Sequence, residues 1–167
     1  IYSFNALKMV LDSKNESLQQ AAFEAMLQWP DGSPMEELER IAKQSKNADK
    51  RQKALQGFLR GIRLSNDLSA KQIRNNYISA MKIAKTKNEK LMVLEAVAKR
   101  VDYTSLEVLE NYLKDPQIGN EVKQAYKKMV EELQNEKVSK KSLQAISSHR
   151  KGDVGKAFDE DPSTRWD

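Results

Sequence analysis

The sequence predicts an all-α fold made by repeating one helix hairpin. Three observations predict it. The chain is low in punctuating residues, with Gly 6 and Pro 4 in 167, which favours long helices over many tight turns. Four segments then align without gaps: Ala22-Phe23-Glu24-Ala25-Met26-Leu27-Gln28, Ala54-Leu55-Gln56-Gly57-Phe58-Leu59-Arg60, Val93-Leu94-Glu95-Ala96-Val97-Ala98-Lys99 and, more weakly, Ala125-Tyr126-Lys127-Lys128-Met129-Val130-Glu131. Finally, an Asn stands five to seven residues before each segment, at Asn15, Asn47, Asn88 and Asn120.

Each aligned segment places apolar residues at i, i+1, i+4 and i+5, the stripe of a helix with one buried face. The central small residue (Ala25, Gly57, Ala96) would let a neighbouring helix approach closely; Lys128 breaks that pattern, as the solvated face of a terminal repeat can. Asn is a strong N-cap, and the acids that follow (Glu16, Asp49, Glu89, Glu121) suit the positive end of a helix dipole. The four Asn positions therefore mark four helix starts, 32, 41 and 32 residues apart.

Partner helices are predicted between them, over Phe4–Lys14, Met35–Lys46, Ala70–Lys87 and Ser105–Leu113. Their apolar stripes include Leu7, Val10 and Leu11; Leu38 and Ile41; Ile73, Tyr77, Ile78 and Met81; and Leu106, Leu109 and Leu113. Turn chemistry separates the units at Pro30-Asp31-Gly32-Ser33-Pro34, Leu64-Ser65-Asn66-Asp67 and Asp115-Pro116-Gln117. One hairpin cannot bury its own apolar face, whereas stacked hairpins can.

Over residues 1–134 this pattern resembles the bacterial HEAT-like repeats of the armadillo-type superfamily. The resemblance implies an α-α superhelix whose successive helices form an extended groove for a protein partner. It implies no particular activity, since such repeats host many tasks. The tetratricopeptide pattern, with its fixed 34-residue period, fits less well because the spacings are unequal.

The stripe stops near Gln134. Residues 135–144 are polar and lysine-rich, like a linker, and residues 145–167 carry no helical period. That last segment resembles the opening of a discoidin domain, the β-sandwich module of coagulation factors and of many bacterial carbohydrate-binding proteins. Ala157, Phe158, Asp159, Asp161, Thr164, Arg165 and Trp166 match the family's opening motif as they stand. Glu160 occupies a position where the family has Gly, in a loop that often supports calcium, so calcium is not carried over. The resemblance implies that the chain ends where such a sandwich would begin. It also implies an extracytoplasmic, glycan-handling multidomain parent, in which any glycan contact lies in the downstream domain. The residues alone also allow a polar tail with one aromatic anchor, the less favoured reading. On either reading Phe158 and Trp166 are the expected anchors, because the segment is too short to form its own core.

The chain begins Ile1-Tyr2-Ser3 with no initiator Met and no visible signal peptide, which leaves room for a removed upstream segment. The absence of Cys removes disulfides, thiolate catalysis and Cys-based zinc sites. No apolar run approaches the roughly 18 residues needed to span a bilayer. The one histidine, His149, has no nucleophile or carboxylate pair beside it in sequence. Glu36-Glu37 and Glu131-Glu132 read as solvated helix ends. Asp159-Glu160-Asp161 is the densest acidic cluster, yet it lacks the further ligands a hard cation wants. No catalytic residue, cofactor or metal is therefore predicted.

Trp29, before Pro30, is expected to pack beside its turn. The net charge of +5 reads as a solvated surface of interleaved Lys and Glu. The densest basic stretch, Lys50, Arg51, Lys53, Arg60 and Arg63, spreads around its helix, which disfavours a nucleic-acid strip. Two other readings resemble the chain in architecture only: an alkyl-base DNA glycosylase relative, which a concave groove lined by Trp, Asp and several Arg would support, and a phycobilin-lyase relative.

Overall fold

The computed structural model describes residues 4–148, with side chains for 4–135 and 137. The described residues form α1 (Phe4–Leu11), α2 (Glu16–Leu27), α3 (Met35–Gln44), α4 (Ala48–Leu64), α5 (Ala70–Ile83), α6 (Lys87–Ala98), α7 (Tyr103–Glu110) and α8 (Gly119–Ser148). All regular structure among them is α-helical.

Two of the four expected caps are in place. The Asn15 and Asn47 side chains accept hydrogen bonds from the amides of Leu18 (3.2 Å) and Lys50 (3.0 Å). The other two assignments need correction. Thr86, not Asn88, caps α6: its hydroxyl accepts from the Glu89 amide, while the Glu89 carboxylate accepts from the Thr86 amide. This is a reciprocal capping box. At the start of α8 the Asp115 carboxylate takes the amides of Gln117 and Ile118, and its carbonyl takes the Gly119 amide. Asn88 and Asn120 already lie inside their helices. A cap needs extended backbone just before the first helical residue, and Thr86 has it at φ −111°, ψ 158°.

The expected end of the last helix also moves. α8 continues through 135–144, read from sequence as a linker, and through the first residues of the segment read as tail, to Ser148. The physical reason is that polarity is not a helix breaker: 135–148 contains Lys, Glu, Gln, Leu and Ala, good helix formers, and no Gly or Pro. The discoidin-like motif, with Phe158 and Trp166, lies outside the described residues, as do His149 and Asp159–Asp161.

Helices pair as α1 with α2, α3 with α4, α5 with α6 and α7 with α8. Contacts between hairpins then run in two series, α2 to α4 to α6 to α8 and α3 to α5 to α7, and also cross between the series where α4 meets α5 and α6 meets α7. The core lies between the series. It joins Phe23 and Met26 of α2, Leu38 of α3, Leu55, Phe58 and Ile62 of α4, Ile73 and Tyr77 of α5, Val93 and Val97 of α6, and Ile118 and Val122 at the start of α8. The aligned apolar positions of α2, α4 and α6 are thus buried by the fold, save Leu27 and Ala98, which are half-buried.

The small central positions behave less uniformly. Gly57 is buried, Ala96 is half-buried and Ala25 is exposed. At Gly57 an added Cβ would come within 2.9 Å of methyls of both Leu27 and Leu38. The close approach expected from sequence is therefore realised there, between α4, its own partner α3 and α2 of the hairpin before. Gly57→Ala sets an overpacking cost of about 1–3 kcal/mol against a helix-propensity gain of about 1 kcal/mol. We expect a net loss of about 1 kcal/mol in urea unfolding, because leucines on two sides must shift together; a stabilised variant would refute the tight contact.

One buried ion pair ties the first series. Arg51 of α4 donates to Glu89 of α6 through Nη2 (2.8 Å) and Nε (3.2 Å), and both side chains are buried. Burial by itself would push the Glu89 carboxyl up. The Lys85 amide, the Arg51 guanidinium and the Thr86 amide outweigh it and hold the group below its ordinary value. A second tie, Lys90 to Asp115 at 2.7 Å, joins α6 to the turn before α8. There the Lys90 bond, opposed by burial and helped by the two capped amides, keeps the Asp115 carboxyl low.

Candidate binding groove between α4 and α6

The Arg51–Glu89 pair draws the N-terminal halves of α4 and α6 together. Toward their C-terminal ends the two helices leave a groove of about 430 Å³. Its walls follow from helix periodicity. Gln56, Leu59, Arg60 and Arg63 share one face of α4, and Met92, Glu95, Ala96 and Lys99 share one face of α6. Arg100, just past α6, and Tyr77 of α5 complete the lining. The small side chain at Ala96 keeps the α6 wall low.

The floor is apolar: Leu59 is buried, Met92 and Ala96 are half-buried, and the buried Tyr77 ring lies with them. The Tyr77 hydroxyl donates a long hydrogen bond of 3.5 Å to the Ala96 carbonyl. Burial pushes this phenol up, partly offset by Arg100 and Arg63, so it stays neutral.

The rim is cationic. Arg60 donates through Nη1 to the carbonyls of Leu27 (2.9 Å) and Trp29 (2.8 Å), which closes the C-terminal end of α2 without neutralising the guanidinium. Lys99 pairs with Glu95 at 2.7 Å, and Arg100 pairs with Asp102. Arg63 is exposed and forms no ion pair among the described residues. Two of the four cations thus lack a carboxylate partner. The Lys99 bond holds the Glu95 carboxyl below its ordinary value, so it is ionised near neutral pH and is not a poised proton donor.

The basic stretch read from sequence is divided among several tasks. Lys50 lies over the Phe23 ring at 5.3 Å, Arg51 holds Glu89, and Lys53 pairs with Asp49 at 2.9 Å. Only Arg60 and Arg63 reach the groove. Trp29 is half-buried, edge-on to Phe4 of α1 at 5.7 Å. Glu37 bonds Arg40, while Glu131 and Glu132 face Lys127 and Lys128 at 4.0 and 3.7 Å. Sequence reading missed Met92, Glu95, Lys99 and Arg100 as groove residues. A signal did exist: Arg60 and Lys99 fill the same final position of the aligned segment, on adjacent helices.

Among the described residues no helix is long and apolar enough to cross a membrane. They also hold no cluster of three or more His, Asp or Glu suited to a metal. Comparison with known protein families, curated proteins and solved structures found no match for this chain.

Proposed function

We propose that residues 1–134 form a HEAT-like α-α superhelix that serves as a non-catalytic binding module, a protein-interaction or spacer arm. The observation that carries this reading is the pair of contact series, each hairpin meeting the next through equivalent helices. Stacked hairpins present extended surfaces along one series, and the α4–α6 groove lies on such a surface. The parent we propose is a larger extracytoplasmic, glycan-related multidomain protein, with any glycan contact made by a domain beyond Asp167. That part rests on the discoidin-like residues 157–166 alone.

The architecture is tested by shortening the chain at Lys99. In a stack, each unit depends on its neighbours rather than on the whole. The shortened chain should keep a helical circular dichroism spectrum and a cooperative, lower melting transition. A random-coil spectrum would overturn the superhelix. Fractionation of cells expressing the parent tests its compartment: recovery in the cytoplasm would remove the extracytoplasmic reading.

The glycosylase-like alternative gains three arginines in one groove, Arg60, Arg63 and Arg100. The lining nevertheless contains neither Trp nor Asp, both of which that reading asked for. A gel shift with duplex DNA at low salt decides between them, since phosphate contacts must weaken steeply with salt.

A further inference from the structure

The groove's chemistry names a kind of ligand, granted that the chain is a binding module. Its rim carries Arg60, Arg63, Lys99 and Arg100. The nearby carboxylates, Glu95 and Asp102, are already engaged by Lys99 and Arg100. Among the described residues, what remains uncompensated is Arg63, together with the charge of Arg60, whose partners are neutral carbonyls. Between the two helices the floor is hydrocarbon, from Leu59, Met92, Ala96 and the Tyr77 ring.

A ligand complementary to this site needs negative charge for the rim and an apolar side chain for the floor. Phosphate alone satisfies the rim and leaves the floor wet. A nucleic-acid strand needs a succession of cations along its backbone, whereas the other α4 cations, Lys50, Arg51 and Lys53, are occupied elsewhere. An extended peptide meets both demands. Its alternate residues lie on one face about 7 Å apart, so a sequence of acid and apolar residues can set carboxylates on the rim and a side chain on the floor. Carboxylate is also the planar partner that a guanidinium grips with two parallel bonds.

We propose that the α4–α6 groove docks an extended acidic segment of a partner protein. Its carboxylates bind Arg63 and the outward face of Arg60, and an apolar side chain lies on Leu59, Met92 and the Tyr77 ring.

The test uses the full chain and a fluorescein-labelled octapeptide of alternating aspartate and leucine, followed by anisotropy at low salt. Saturable binding is expected, weakened about tenfold or more by Arg63→Glu, a loss of one charge-assisted contact plus a new repulsion. Met92→Lys, which fills the floor with charge, should weaken it as well. Lys53→Glu, outside the groove on the same helix, should leave it unchanged. Three results would overturn the proposal: no saturable binding, equal weakening by Lys53→Glu, or full competition by inorganic phosphate or a single-stranded oligonucleotide at a concentration where an unlabelled peptide of the same sequence does not compete. Circular dichroism of each variant separates the failures. A lost peptide with an intact helical spectrum reports on the groove, whereas collapse of the shortened chain reports on the superhelix.

Discussion

Glu89→Ala is expected to destabilise the fold by about 3–5 kcal/mol, the usual cost of breaking a buried ion pair from one side. The size follows from what the carboxylate holds. Glu89 is 4% exposed and accepts two bonds from Arg51 as well as the amides of Lys85 (2.6 Å) and Thr86 (3.1 Å). Truncation leaves a guanidinium buried without a counter-charge and two amides without an acceptor. Replacing both partners by Met is expected to cost far less, about 1 kcal/mol, because only the cap is then lost. Urea unfolding of the single and double variants measures the difference. A single variant no weaker than the double one would show that the pair does not bind α4 to α6.

The same carboxylate sets an acid limit. Its folded pKa lies below the ordinary 4.5, so its contribution is complete above that value and is lost as the pH falls through the lower folded value. Asp115 is depressed from 3.8 and acts in the same direction. The melting temperature should therefore fall as the pH drops below the ordinary carboxylate range, and the fall should be shallower in the Arg51→Met, Glu89→Met variant. Equal slopes in the two proteins would remove Glu89 as the cause.

Phe58→Ala is the second large effect, a loss of about 3–5 kcal/mol. Phe58 is 1% exposed and sits in the core where α4 meets its neighbours. Gly57 beside it is already crowded by Leu27 and Leu38, so the surrounding helices have little freedom to close over the space. Phe58→Leu keeps most of the volume and should cost under about 1.5 kcal/mol. Thermal unfolding followed at 222 nm would read both; near-equal values would mean that the site collapses and that the packing is looser than described.

How much of this was legible beforehand depended on whether a feature belongs to one helix or to two. The apolar stripes at 22–28, 54–60 and 93–99 belong to single helices, and the fold buries them. Asn15 and Asn47 cap as read, but Asn88 and Asn120 do not, because Thr86 has the extended backbone just before α6 and the Asp115 carboxylate takes the amides ahead of α8. Thr86-x-x-Glu89 was readable as a capping box, but the neighbouring Asn88, a strong cap by residue type, hid it. The second role of Glu89, as partner to Arg51, was not readable, since their separation of 38 residues follows no local period. The groove was hidden for the same reason: Arg60, Arg63, Met92 and Lys99 meet only once α4 and α6 lie side by side. The lysine-rich stretch after Gln134 misled because composition reports solvation, while helix continuation needs only the absence of a breaker.

The contact pattern also fixes how the chain can find its shape. Helices touch others near them along the chain, and side-chain bonds between hairpins span about the length of one unit, as from Asn76 to Met35, 41 residues apart. Closing such short loops costs little entropy, and chains dominated by local contacts fold in microseconds to milliseconds. No long search for distant partners is imposed, and assembly can begin at whichever hairpin forms first. α1, which buries no residue fully, has the least to hold it, so it is the helix expected to fray first.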